Sequence, residues 1–148
     1  MPSTHLSLHY HLVFSTKDRE PWLAPTPRHR VHEYLGGIIR GMRGVPHAVG
    51  GTGDHVHVLA GLGATRSLAD VMRELKSDSS AWIHKRLGLA GFAWQEGYGG
   101  FTVSAWQLEE VRTYVLQQEE HHRAATFQEE YVVLLQHGLV GFDDKYLW

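Results

Sequence analysis

Cysteine is absent from the 148 residues. That excludes a disulfide scaffold, a thiolate zinc site, an iron–sulfur cluster and a thiol nucleophile. Long hydrophobic runs are also missing: no apolar stretch approaches the roughly 18 residues of a membrane span. The opening MPSTHLSLHYHLVF has neither the basic start nor the small-residue cleavage site of a signal peptide. A cytoplasmic protein without a membrane partner is therefore expected. Low-complexity tracts are lacking, and 43% hydrophobic against 20% charged residues excludes disorder and fibrous classes. Neither charge sign dominates, with 14 Lys/Arg against 16 Asp/Glu and a formal net charge of −2, so wholesale phosphate binding is not indicated. The balance hides an asymmetry. Residues 1–86 hold 11 Lys/Arg against 7 Asp/Glu, and residues 87–148 hold 3 against 9. What is abundant is histidine, 12 residues, the common metal ligand that also titrates near neutrality.

The length suits one domain spanning residues 1–148. Leu6, Leu8, Tyr10, Leu12 and Phe14 alternate with mostly polar neighbours, which predicts a strand. Thr26 as cap and Pro27 as first residue predict a helix carrying Val31, Tyr34, Leu35, Ile38 and Met42. Residues 45–49 and 55–61, joined by Gly-Gly-Thr-Gly-Asp, predict a hairpin. Ser67 with Asp70 predicts the cap of a second helix through Leu75 and Ile83, and residues 101–103 a fourth strand. A Ser104/Gln107 capping box would open a third helix with Leu108, Val111 and Val115 on one stripe. The apolar tail from Phe127 is expected to pack back. The order β-α-β-β-α-β with an added helix is the split βαβ pattern of an α+β, ferredoxin-like sandwich, a fold that leaves function open.

His55 and His57 stand two apart on the third strand, so both imidazoles face one side and can converge on a metal ion. His9 and His11 repeat that spacing inside steady alternation and read as an incidental pair. On the third helix Tyr114 and Gln118 share a face, with His121 and His122 a turn further on. His122 either supports that site or caps the helix. Glu109, Glu110, Glu119, Glu120, Glu129 and Glu130 read as solvated helix faces, without a role. Arg66, Arg73, Lys76, Lys85 and Arg86, near Trp82 and His84, form either a phosphate-binding surface or an ordinary solvated face. No G-x-S-x-G elbow is present, and GGTGDH is not followed by Gly-Lys-Ser/Thr, so acyl transfer and nucleotide hydrolysis drop out.

With His55-Val56-His57 and Tyr114-x-x-x-Gln118 placed, the whole chain resembles the single-tyrosine HUH transposases of bacterial insertion sequences. The resemblance runs through YHLVFSTKDREPWL at 10–23, VGGTGDHVHVLAGL at 49–62, ELKSDSSAWIHK at 74–85, WQEGYGGFTVS at 94–104, YVLQQEEHH at 114–122 and the ending FDDKYLW. It implies a DNA transposase that cuts and rejoins single-stranded DNA at hairpin-marked ends. Tyr114 would be the nucleophile, giving a 5′-phosphotyrosine, and His55, His57 and Gln118 would hold Mg²⁺ or Mn²⁺. It also implies a homodimer, and no nucleotide cofactor because each ester replaces another. No carboxylate base for the tyrosine is evident in the sequence. Two alternatives stand beside this reading: a domesticated relative that processes repeated genomic hairpins, and a non-catalytic nucleic-acid or metal-binding module.

Overall fold

In the computed structural model, residues 3–148 are described. The elements follow in the order β1 (His9–Ser15), α1 (Pro25–Gly41), β2 (Val45–Gly51), β3 (His55–Gly61), α2 (Leu68–Arg86), β4 (Gly99–Val103), α3 (Leu108–Leu116), α4 (Gln118–His121) and α5 (Phe127–His137). The four strands form one antiparallel sheet ordered β2-β3-β1-β4, the ferredoxin-like arrangement expected from the element order. Several boundaries shift. The first strand starts at His9, three residues beyond Leu6, and α1 starts on Pro25 rather than Pro27, because proline at the first helical position gives up no hydrogen bond. The hairpin strands end where β3 was expected and two residues later for β2. Ser67 accepts from the Asp70 amide as anticipated. The Ser104/Gln107 box does not form: Ser104 donates instead to the Gln107 side chain, and a 3-10 turn at Ala105–Gln107 precedes α3.

Helices α1 and α2 cover one face of the sheet. Leu12, Phe14, Val56, Val58 and Ala60 point into this layer and meet Leu35, Ile39, Met72, Leu75 and Ile83, all nearly inaccessible. Burial of this apolar surface is the main favourable term in folding. The opposite face carries the alternate residues, His11 on β1 and His55, His57 and Leu59 on β3, and lies beneath α3 to α5. Val115 of α3 packs there on Ala48, Leu59 and Val103. β3 is thus sandwiched between two helical layers, and its polar side chains on that face must find partners inside the protein.

Candidate active site

β3 lies centrally in the sheet, and its alternation sends His55 and His57 to the α3 side with 0% exposure each. Their rings lie 5.1 Å apart. The turn before β3 orients His55: Nδ1 donates to Asp54 Oδ1 at 2.8 Å, with Thr52 Oγ1 at 3.1 Å. A neutral His55 so held keeps its Nε2 lone pair free. His57 is oriented from β1. His11 pairs with Leu59 in the β1–β3 register, so its side chain falls diagonally across from His57, and His11 Nε2 lies 2.7 Å from His57 Nδ1. The His9-Tyr10-His11 pair is therefore not incidental throughout. His11 is buried against the site, whereas His9 turns to His47 at 3.2 Å near the sheet edge.

Tyr114 and Gln118 arrive on two helices, not one. Helix α3 ends at Leu116. Gln117 leaves helical geometry with φ −105° and ψ 29° while its amide still reaches Thr113 and Tyr114 carbonyls. The break turns Gln118 inward, to 1% exposure, and its Oε1 lies 3.0 Å from His55 Nε2. His122 approaches the same oxygen, Nε2 at 3.0 Å, while its Nδ1 donates to the Ala125 carbonyl at 2.7 Å. His122 thus contacts Gln118 as well as closing the helix end.

The centre of the cluster is a residue that sequence reasoning left on a solvated face. Glu130 is 3% exposed. Thr126 and Glu129 form a reciprocal capping box that starts α5. The next position, on the apolar stripe with Phe127 and Leu134, turns into the protein. Glu130 Oε1 lies 2.9 Å from His57 Nε2, 3.3 Å from His122 Nε2 and 3.7 Å from His55 Nε2. Its Oε2 accepts the Tyr114 hydroxyl, with His121 Nε2 at 3.3 Å. Phe127, on the same helix, stacks on His55 at 4.2 Å. The signal that was available was that stripe. Glu109, Glu110, Glu119, Glu120 and Glu129 are exposed as expected.

Burial by itself would raise the Glu130 pKa, but hydrogen bonding and charge from His57, with the Tyr114 hydroxyl, hold it well below the usual carboxylate range. Tyr114 moves the other way: burial and then the Glu130 carboxylate push its hydroxyl above the ordinary value, against a smaller pull from Gln118. Burial lowers His57 to about 4 although Glu130 opposes it, and burial with the neighbouring His57 lowers His11 to about 3. An ionised carboxylate only accepts, so a neutral His57 donates from Nε2 and takes a hydrogen bond from His11 at Nδ1.

Donor chemistry fits a cation. Ligand atoms of His55, His122 and Glu130 all lie within 4.8 Å of one another, and Gln118 Oε1 sits between the two imidazoles. Both histidines spend their Nδ1 hydrogens elsewhere, on Asp54 and Ala125. Two nitrogen lone pairs and two oxygens therefore face one another, and an extra proton or a divalent ion is what satisfies them.

The family described as "Transposase IS200 like" matches residues 4–118. The chain belongs to this transposase family. Among solved structures, it is similar to a candidate transposase of Deinococcus radiodurans R1, with a TM-score of 0.60 and 26% identity over 78% of this chain and 93% of that one. It shares the fold of a REP-associated tyrosine transposase bound to a REP hairpin, with a TM-score of 0.55 and 14% identity over 95% of this chain and 74% of that one. No curated protein matches.

In this transposase the structure brings together Tyr114, His55, His57, Gln118 and His122. It does not bring the α2 cations to them. Arg66 pairs with Glu74 and Arg73 with Asp70, Lys76 donates to the Gln95 and Gly97 carbonyls, and Lys85 and Arg86 are exposed in the last turn of α2. That helix lies across the sheet from His55. A groove of about 480 Å³ beside Gln118 is lined by Arg28, His29, His32 and Arg123, with Arg28 paired to Glu119 and Arg123 to Glu120. Among the described residues no helix is long and apolar enough to cross a membrane.

Proposed function

We propose that the chain is a single-tyrosine transposase that cleaves and rejoins single-stranded DNA at hairpin-marked ends through a 5′-phosphotyrosine on Tyr114. One observation carries the reading: a tyrosine, an amide oxygen and two strand histidines, separated by about sixty positions of sequence, meet at a single buried point. The Tyr114 ring stands 5.8 Å from His57, so its hydroxyl and the candidate ligands can address one phosphate. In the forward step the Tyr114 oxygen bonds to phosphorus and the bond from phosphorus to the 3′ oxygen breaks. Glu130 holds the hydroxyl in place through its hydrogen bond, the tyrosine proton is lost to solvent, and the 3′ oxygen is released as a hydroxyl after taking a proton from solvent. The reverse step, with another 3′-hydroxyl, joins new ends, which is why no nucleotide cofactor is needed.

His55 and Gln118, with His57 once its Nε2 hydrogen is displaced, would hold the divalent ion, Mg²⁺ or Mn²⁺, which when bound supplies Lewis-acid stabilisation of charge on the phosphate oxygens. The strand would approach along the groove of Arg28, His29, His32 and Arg123, where His32 Nε2 is buried without a hydrogen-bond partner. His55, His57 and Gln118 are 0–1% exposed, so phosphate entry in this reading requires α5 to shift about the 122–126 connection. The candidate residues meet within one chain. The expected homodimer adds the possibility of exchange, tested by mixing Tyr114→Phe with His57→Ala protomers: restored activity means that the tyrosine acts across the dimer.

The decisive experiment incubates the protein with labelled single-stranded hairpins from the gene's flanks and Mg²⁺ or Mn²⁺, followed by a denaturing gel. A protein–DNA adduct lost in Tyr114→Phe and His57→Ala is the expected result. Binding without any adduct would overturn catalysis and leave a nucleic-acid-binding module.

A further inference from the structure

We propose that Glu130 and His122 complete the cation site, and that Glu130 couples it to the nucleophile, one carboxylate oxygen facing the ion and the other holding the Tyr114 hydroxyl. This deepens the function proposed above. Both residues lie beyond position 118, where the family match ends.

Three observations support the assignment. First, a carboxylate at 3% exposure is costly unless positive charge or several donors surround it. Glu130 faces imidazole nitrogens of His55, His57, His121 and His122 within 3.7 Å, and two of these, His55 and His122, point bare Nε2 atoms inward when neutral. Second, the spacings are those of ligands around one ion. A cation with bonds of about 2.1 Å in octahedral geometry sets neighbouring ligand atoms about 3 Å apart. Gln118 Oε1 lies 3.0 Å from both His55 and His122 Nε2, and Glu130 Oε1 lies 3.3 Å from His122 and 2.9 Å from His57. Third, the carboxylate's two oxygens are divided, Oε1 toward this ring of donors and Oε2 toward Tyr114. Four donors with lone pairs facing one another, His55, His122, Gln118 and Glu130, would leave two of six positions, one for His57 once its Nε2 hydrogen is displaced and one for a phosphate oxygen. The imidazoles among them favour a transition metal such as Mn²⁺ over Mg²⁺, which prefers oxygen.

The test titrates Mn²⁺ and, separately, Mg²⁺ into the full chain without DNA, by calorimetry and by the loss of the free Mn²⁺ paramagnetic signal. The wild type is expected to take one Mn²⁺ more tightly than Mg²⁺. Glu130→Gln, close to isosteric, and His122→Gln are each expected to weaken Mn²⁺ at least tenfold, and Glu130→Gln to slow adduct formation on the hairpin. Unchanged Mn²⁺ affinity in either variant overturns the proposal. So does faster adduct formation in Glu130→Gln, which would make the carboxylate a plug in the phosphate's place. Should Glu130→Gln not fold, His122→Gln, at the partly exposed end of α4, decides alone. A wild-type adduct with unchanged metal affinity in the variants would remove this proposal and keep the transposase reading. Weakened metal binding with no wild-type adduct would do the reverse.

Discussion

Replacing Gly50 by alanine should uncouple the tyrosine from its histidines without disturbing the main core. Gly50 lies in β2 directly under α3, and a Cβ there would stand 2.0 Å from the Val115 carbonyl oxygen and 2.9 Å from its carbon. Carbon–oxygen contacts settle near 3.3 Å, so α3 must rise by roughly 1 Å or more. The obstacle is backbone and cannot rotate away. Val115 is the neighbour of Tyr114, so the hydroxyl moves with it, and Gln118 is drawn from the 3.0 Å contact with His55. A displacement of about 1 Å at reacting groups costs on the order of 10²-fold in rate, and such overpacking costs about 1–3 kcal/mol of stability. The assay is single-turnover adduct formation on a saturating hairpin, paired with a thermal melt. Gly37→Ala on α1, where an added Cβ meets nothing within 4 Å, is the control and should leave the rate unchanged. A Gly50→Ala rate within threefold of wild type would refute the claim that α3 seated on β2 positions the nucleophile.

Phe127→Ala removes a 7% exposed ring stacked on His55 and should cost about 3 kcal/mol, read as a lower denaturation midpoint; an unchanged midpoint would show that α5 is not docked there. Without metal the protein should lose stability as pH falls from about 6.5 to about 4. His32 and His57 titrate near 6.5 when unfolded but, lowered chiefly by burial, only at about 4 when folded, so the unfolded chain takes up protons first. A melting temperature flat across that window contradicts this. Asp54→Asn, which removes the charged partner of His55 Nδ1, should weaken Mn²⁺ binding about 10–100-fold by titration, with little change in the melting temperature of the metal-free protein. Mn²⁺ at one hundred times its Kd should stabilise the wild type by about 2.7 kcal/mol, and a chelator should reverse it.

The split βαβ order and the His55/His57 pair on one strand face were legible in the sequence, because each rests on local periodicity: two for a strand, about 3.6 for a helix. The Ser67 cap was legible for the same reason, being a contact three residues long. Other features depended on how separate elements dock. His11 gained its place only when the β1–β3 register set it diagonally against His57. The break at Gln117, which turns Gln118 inward, reflects α3 and α4 packing over the sheet rather than any residue that forbids helix. Glu130 was the deepest omission. In a Glu-Glu pair each carboxylate differs from the next by one helical step of about 100°, so only Glu130 shares the stripe of Phe127 and Leu134, but what that stripe meets is not written locally. The capping box spends Glu129 on Thr126, and the seat of Phe127 on His55 then aims Glu130 at Tyr114 and the histidines. The sequence by itself determined the elements and which side chains share a face. Only tertiary packing decided which faces meet, because the buried charge that joins α5 to β3 is a contact across more than seventy residues, whose partner no local pattern names.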